Sequence, residues 1–255
     1  MLNLALLIAA TSLILATASA ADPPPWRLTD AGRALPEARP ALVVVTPGVP
    51  HSAYLTWIEA LEQEGLDAWT LQLPARARQV EDVTAGVGAA FAALSEGRPT
   101  PVIAAHGYGG VFVLLAEVQP AALALVGTPL AAQPVPVLVD TDAPLVAEAL
   151  PWDPDLLGGL PTEPYAGSLA AAYARWATEF PAYHPPQAPA LLIASGIDPV
   201  APPEVVRLPS QGWPDRQWWR AGPLGMEPAD PTHAQLLSDP EIARRVARFL
   251  AQEAR

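Results

Sequence analysis

The sequence predicts an α/β fold built on a mostly parallel sheet with helices on both faces. Short apolar runs rich in β-branched residues, such as 41–46, alternate with longer segments whose apolar residues recur at helical spacing. Such continuous runs are typical of strands that are buried on both faces. Strict alternation of strands and helices requires crossover connections, and these join parallel strands.

The predicted elements follow in regular order up to residue 126. The first strand, 41–46, ends at a Pro-Gly pair, and the helix at 54–65 ends at Gly65, a common helix terminator. The remaining predicted strands are 68–73, 101–105, 121–126, 190–194 and 217–220, and the remaining helices are 80–94, 111–118 and 241–253.

Residues from about 130 to 187 break this alternation. The segment is rich in proline and acidic side chains, and it contains one clear helix, 169–180, with no convincing strand. We interpret it as an insertion in a single domain that spans residues 21–255, rather than as a second domain.

The first twenty residues carry no charged side chain. An apolar core at 4–15 is followed by Ala18-Ser19-Ala20, which is the pattern of a secretory signal peptide with its cleavage site. We therefore expect a signal peptide at 1–20 and a secreted or periplasmic protein. The leader lacks Lys and Arg, so an uncleaved membrane anchor is the alternative, and we expect membrane contact only in that case.

Composition excludes several classes of function. The chain of 255 residues has 26 acidic and 14 basic side chains, a net charge of −12, which argues against nucleic-acid partners. All the basic residues are arginines and there is no cysteine, so Schiff-base, thiolate and disulfide chemistry are excluded. Four widely spread histidines do not form a metal motif, and we expect no metal and no cofactor.

A glycine-rich turn between the strand at 101–105 and the next helix is the most informative segment. It reads His106-Gly-Tyr-Gly-Gly110, and small residues at such a junction allow the chain to turn sharply into a helix. Asp198 follows the apolar strand at 190–194, and His233 precedes the closing helix. An aspartate and a histidine can form a pair in which the carboxylate orients the imidazole.

These segments resemble the α/β-hydrolase family, in order and spacing, over roughly residues 40–129 and 188–255. The turn resembles the family's nucleophile elbow, Gly-His-Ser-x-Gly-Gly, with Ala105 for the first glycine and Gly107 for the serine. The segments around Asp198 and His233 resemble those of the triad acid and histidine, and 45–49 resembles the oxyanion loop.

The resemblance implies an α/β-hydrolase type of sheet with a short Pro-rich cap, and it assigns site residues. Asp198 and His233 would be the residual acid and base, Gly107 the vacant nucleophile position, and the backbone amides of Val49 and Tyr108 the oxyanion donors.

The missing nucleophile decides the functional prediction. Since Gly107 has no side chain, residue 107 cannot form a covalent acyl intermediate. We therefore expect a non-hydrolytic member that binds a small apolar or lipid-like ligand, or a partner, in the cleft. One alternative is an ester or amide hydrolase in which His233 activates water or another hydroxyl, with Ser52 the nearest candidate. A second alternative is a structural or interaction protein with a filled cleft.

Overall fold

A computed structural model of the chain describes residues 26–30, 37–46, 49, 51–72, 80–132, 176, 179–198, 200–222 and 230–253. These residues form one seven-stranded sheet in the order β1-β3-β2-β4-β5-β6-β7. Neighbouring strands from β3 to β7 pair in parallel, and β1 pairs antiparallel with β3. The strands are β1 Arg27–Asp30, β2 Pro40–Val44, β3 Asp67–Gln72, β4 Val102–His106, β5 Leu123–Val126, β6 Ala190–Ser195 and β7 Arg216–Ala221.

Helices cover both faces of this sheet, so the predicted doubly wound α/β class is confirmed. Helices α1 and α6 pack on one face, and α2, α3 and α4 pack on the other. Every residue of β2, β4 and β5 is buried as a result. The helices are α1 Leu55–Gln63, α2 Val80–Ser95, α3 Tyr108–Leu115, α4 Pro203–Arg207, α5 Gln235–Ser238 and α6 Pro240–Glu253, with 3-10 turns at His51–Tyr54 and Pro209–Gly212.

Strand β2 shows why the strand sequences are continuously apolar. Val43 belongs to the core under α1 and α6, whereas Leu42 and Val44 belong to the core under α2 and α3. Because successive side chains point to opposite faces, a strand with two covered faces needs an apolar residue at every position. Each fully buried Leu or Val contributes about 1.5–3 kcal/mol relative to its exposed state.

The elements that differ from the sequence prediction lie at edges and turns. Strand β1 was not predicted, because an edge strand needs few apolar residues and only Leu28 of its side chains packs against a core. Helix α3 begins at Tyr108, directly after Gly107, rather than at residue 111. The short helices α4 and α5 were also missed.

The predicted signal peptide at 1–20 and most of the predicted insertion, with nearly all of its helix 169–180, lie outside the described residues. Of the helices in the described ranges, none is long and apolar enough to cross a membrane.

Candidate active site

The turn between β4 and α3 is a one-residue elbow at Gly107. Its backbone has φ +54° and ψ −135°, in the left-handed region of φ that favours glycine. The Gly107 N–H donates to the carbonyl of Val126 at 3.0 Å, and the Gly110 N–H donates to the carbonyl of Gly107 at 3.1 Å. The elbow therefore presents position 107 at the carboxyl end of the sheet, where α/β folds place their ligands.

The two glycines that follow are required by close packing. A Cβ atom on Gly109 would lie 2.8 Å from the carbonyl oxygen of Val44. A Cβ atom on Gly110 would overlap the side chain of Thr128, with 2.6 Å to its Cγ2 atom. Only glycine allows α3 to approach β2 and the end of β5 this closely.

Asp198 and His233 form a buried hydrogen-bonded pair beside the elbow. The distance from His233 Nδ1 to Asp198 Oδ2 is 2.7 Å, and the side chains are 5% and 0% exposed. The other carboxylate oxygen of Asp198 accepts hydrogen bonds from the N–H groups of Val200, at 2.8 Å, and Ala201, at 3.1 Å. With the Nδ1 proton donated to Asp198, Nε2 of the neutral ring is the acceptor.

The imidazole of His233 faces the empty side-chain position of Gly107. A Cβ atom on Gly107 would lie 3.0 Å from Nε2 of His233 and 3.4 Å from Oγ1 of Thr46. Within the described ranges Nε2 of His233 has no hydrogen-bond partner. The structure therefore brings Gly107, Asp198 and His233 together from three separate loops.

Comparison with known proteins gives a match at the level of structure. No protein-family model matches the sequence, and no curated protein matches it. The monoacylglycerol lipase of Paleococcus ferrophilus superposes with a TM-score of 0.55 and 17% identity, covering 85% of this chain and 96% of that chain. An esterase from Thermogutta terrifontis superposes with a TM-score of 0.60 and 15% identity, covering 90% of this chain and 93% of the esterase. YbtT, a type II thioesterase from the yersiniabactin biosynthetic pathway, superposes with a TM-score of 0.62 and 17% identity, covering 89% of this chain and 99% of the thioesterase.

This chain has the α/β-hydrolase fold. At these identities the comparison establishes the fold alone, so the chemistry of this α/β-hydrolase-fold site has to be argued from its own residues.

Two predicted site residues, Val49 and Ser52, lie before α1. The N–H of Val49 donates to the carbonyl of Thr46 at 3.0 Å, so this amide is already used within a turn and would have to leave it to bind an oxyanion. Ser52 is exposed in a 3-10 turn, and no hydrogen bond within the described ranges joins it to the buried His233.

Tyr108, the other predicted backbone donor, is the first residue of α3. The first amides of an α-helix have no acceptor within their own helix. The position of Tyr108 next to Gly107 fits the predicted role, which stays a prediction.

Thr46 was missed by the sequence prediction. Its hydroxyl donates to the carbonyl of His106 at 2.6 Å, and its N–H donates to the phenol oxygen of Tyr54 at 3.0 Å. Burial raises the pKa of Tyr54 to about 12, although its hydrogen bonds to Thr46 act in the opposite direction. The position of Thr46 in the sequence could have indicated its role. It follows the buried parallel strand β2, and the site lies at the carboxyl ends of such strands.

The side chain of His106 holds His233 in place through a hydrogen bond to its backbone and a ring contact. Its Nε2–H donates to the backbone carbonyl of His233 at 3.0 Å, and the two ring centroids are 4.3 Å apart. Burial, and secondarily the neighbouring His233, lower the pKa of His106 well below its ordinary value of 6.5. His106 is therefore neutral near pH 7, and it acts on the site by holding the His233 backbone.

The loop that carries His233 is also fixed by an ion pair. Arg220, in β7, donates to Asp230 at 2.7 Å, and Asp230 lies three residues before His233. Gly196 and Gly222 pack so tightly against this pair that a Cβ atom on either would overlap it. Among the described residues no cluster of side chains could hold a metal ion.

Proposed function

We propose that this chain is an exported, non-hydrolytic α/β-hydrolase-fold protein that binds a small apolar ligand in the cleft at its elbow. The observation that carries the proposal is the position of His233, whose Nε2 lies 3.0 Å from where the first side-chain atom of residue 107 would be.

That distance argues against a water molecule in the nucleophile's place. A Cβ atom lies about 1.5 Å from Cα, so Nε2 is within about 4.5 Å of the Gly107 Cα. A water in line between the two would need about 6 Å, the sum of a hydrogen bond and a van der Waals contact. A water on the line between Nε2 and Gly107 therefore does not fit, and an attacking oxygen would have to reach Nε2 from beside that line.

The retained Asp198–His233 pair has a structural role that does not require catalysis. It joins the loop after β6 to the loop before α5, and it passes over Gly127. A Cβ atom on Gly127 would lie 3.0 Å from Oδ2 of Asp198 and 3.0 Å from Nδ1 of His233. Loss of either residue would leave the other one buried without its partner, which is strongly destabilising. The pair therefore contributes to the stability of the fold even without catalysis.

One half-buried aromatic ring beside the elbow, that of Tyr108, supports an apolar ligand, whereas Trp176 and Phe112 behind it are buried in the core. The ring centroids of Tyr108 and Trp176 are 6.0 Å apart, and those of Phe112 and Trp176 are 5.6 Å apart. Apolar and aromatic surface next to a few polar groups is the usual lining of a small-molecule site.

Hydrolysis with His233 as a general base is the second candidate. It is favoured by the 2.7 Å bond to Asp198, which leaves Nε2 of the neutral imidazole as an acceptor without a partner in the described ranges. A lipase, an esterase and a thioesterase have the same fold. Enzymes that lack their triad keep about 10³-fold acceleration over water, so such activity would be weak.

Hydrolysis of p-nitrophenyl esters, from acetate to palmitate, separates the two candidates. We expect no turnover that depends on His233, so the wild type and His233→Ala should give the same background rate. His184→Ala is the matched control, because His184 is exposed and its one ion pair within the described ranges is with the exposed Glu117. Turnover that is lost in His233→Ala and kept in His184→Ala would establish the hydrolase instead.

Export is supported by the leader at 1–20, with its apolar core and Ala-Ser-Ala ending. Amino-terminal sequencing of the protein from fractionated cells tests it. A chain that begins at Ala21 in the exported fraction is expected, whereas full-length chain in the membrane fraction would indicate the anchor.

A further inference from the structure

We propose that a groove between β7 and α6, at the edge of the sheet, binds the phosphate group of a phosphate ester. Gly107, Asp198 and His233 are not among its lining residues, so the proposal is independent of the function proposed for the cleft at the elbow. The groove has a volume of about 280 Å³, close to the lower end of the range of about 300–1,000 Å³ for small-molecule sites.

The lining of the groove is basic in a chain that is otherwise acidic. Within the described ranges it consists of three arginines, two glutamines and one glutamate, with the buried Phe249 beside them. Three guanidinium groups against one carboxylate leave an excess of two positive charges, although the whole chain has a net charge of −12. The polar lining residues are Gln217, Glu241, Arg244, Arg245, Arg248 and Gln252.

The three arginines come from little more than one turn of α6. Arg244 and Arg248 are one turn apart on the same side of the helix, and Arg245 follows Arg244 directly. All three side chains are exposed, whereas Val246 and Ala247 between them are buried in the core. The amphipathic pattern of α6 therefore places the three guanidinium groups along the same groove.

Two of the arginines are held by contacts that leave most of their donors open. The guanidinium carbon of Arg245 lies 4.2 Å from the centroid of the Trp219 ring, and this cation–π contact requires no hydrogen-bond acceptor. Nε of Arg248 lies 3.4 Å from Oε1 of Glu64, and its terminal amino groups have no partner within the described ranges. Side chains that are already positioned lose less entropy when they bind a ligand.

The third arginine, Arg244, has no ion-pair or hydrogen-bond partner within the described ranges. Glu241 lies about one turn earlier in α6 and lines the same groove, but it forms no ion pair with Arg244 or Arg245. The carboxylates of the described residues therefore leave most of the guanidinium donors at this groove open to an anion from outside the chain.

A phosphate group fits these donors better than a carboxylate. A guanidinium donates paired hydrogen bonds to the oxygens of either anion. A phosphate ester offers three acceptor oxygens and a charge of about −1.5 to −2 near pH 7, which matches the excess of two positive charges at the groove. A carboxylate offers two oxygens and one negative charge, so it would neutralise only half of that excess.

An NMR titration of the wild-type protein at pH 7.5 with glycerol 3-phosphate and with glycerate tests the preference for phosphate. The two ligands differ in the anionic group and share the same two hydroxyl groups. Glycerol 3-phosphate should bind at least about fivefold more tightly, and it should shift the Nε–H signals of the α6 arginines and the indole N–H signal of Trp219. Equal binding of the two anions would overturn the phosphate site.

Substitutions with opposite expected effects make the test specific to the groove. Arg244→Gln should weaken binding about fivefold, and Glu241→Gln should tighten it by a similar factor, because they remove a donor and a repelling carboxylate. Arg27→Gln is the matched control, because Arg27 is exposed in β1 at the opposite edge of the sheet. Equal effects of Arg244→Gln and Arg27→Gln would reduce the binding to a general effect of net charge and overturn the site.

The phosphate group of a lipid headgroup has the same chemistry, and sedimentation with phosphatidylcholine vesicles, with and without phosphatidate, separates the two sources. Binding of glycerol 3-phosphate assigns a soluble ester to the groove. Binding only to the vesicles that contain phosphatidate, and its loss in Arg244→Gln, assigns a lipid headgroup. Binding of neither, or vesicle binding that Arg244→Gln leaves unchanged, would overturn the proposal.

Discussion

The Nε2 atom of His233 lies 3.0 Å from the point where a Cβ atom on Gly107 would be. An imidazole and the carboxylate that orients it are thus aimed at a position that carries no side chain. The pair is nevertheless fully formed, because Asp198 is fixed by two backbone amides and His233 by the His106 side chain beneath it. These contacts fix the pair in place without any ligand, so the pair is not by itself a sign of catalysis.

Removal of the buried carboxylate should be strongly destabilising. Asp198→Ala deprives His233 and the amides of Val200 and Ala201 of their acceptor, so we expect a loss of about 3–5 kcal/mol in the free energy of unfolding, measured with urea. Glu117→Ala is the control, because it removes an exposed contact with His184 and should cost at most about 1 kcal/mol. Equal effects of the two substitutions would contradict the structural role of Asp198.

The glycine pair of the elbow should be sensitive to a single methyl group. Gly110→Ala places a Cβ atom against Thr128, and we expect a loss of about 1–3 kcal/mol in unfolding free energy. The same change in a Thr128→Ala background should cost less, because the two closest atoms are gone and only Leu125 Cδ2, at 3.0 Å, remains near the new methyl group. Gly88→Ala, in α2, has no neighbour within 4 Å and should instead stabilise by about 0.5–1 kcal/mol. If the changes in unfolding free energy of Gly110→Ala and Thr128→Ala simply add in the double variant, the proposed clash between the two residues is wrong.

Stability should fall in mild acid because of His106. Its folded pKa lies well below the 6.5 of the unfolded chain, so below pH 6.5 the unfolded state binds more protons. The contribution of His106 is complete above pH 6.5 and is lost as the pH falls, by up to about 1.4 kcal/mol for each pH unit. Urea unfolding at pH 7.5 and 5 should show a smaller decrease for His106→Gln than for the wild type. An equal decrease in both would show that His106 is not the cause.

The central strands were predictable from sequence for a physical reason. A strand such as β2 packs against helices on both faces, so Leu42 and Val43 must both be apolar and the pattern is visible in the sequence itself. The edge strand β1 has no such requirement, and its sequence Arg-Leu-Thr-Asp carries little signal.

The site could be predicted in part. The contact between Asp198 and His233 could be predicted because each residue occupies a recognisable place next to a buried strand or the closing helix, whereas their role in the site stays a prediction. Thr46 and Gly127 were missed because their roles arise from contacts with residues about 60 to 106 positions away, which no local pattern encodes. The use of the Val49 amide within a turn likewise depends on loop geometry that the sequence does not specify.

The most direct test of a site without a nucleophile is covalent labelling with an alkyl fluorophosphonate, followed by intact-protein mass spectrometry. We expect the wild type to remain unmodified. Gly107→Ser should gain one label that requires His233, once the imidazole has shifted by a few tenths of an ångström to admit the new side chain. A wild-type protein labelled at Thr46, Ser52 or any other hydroxyl, and not labelled in His233→Ala, would contradict the account.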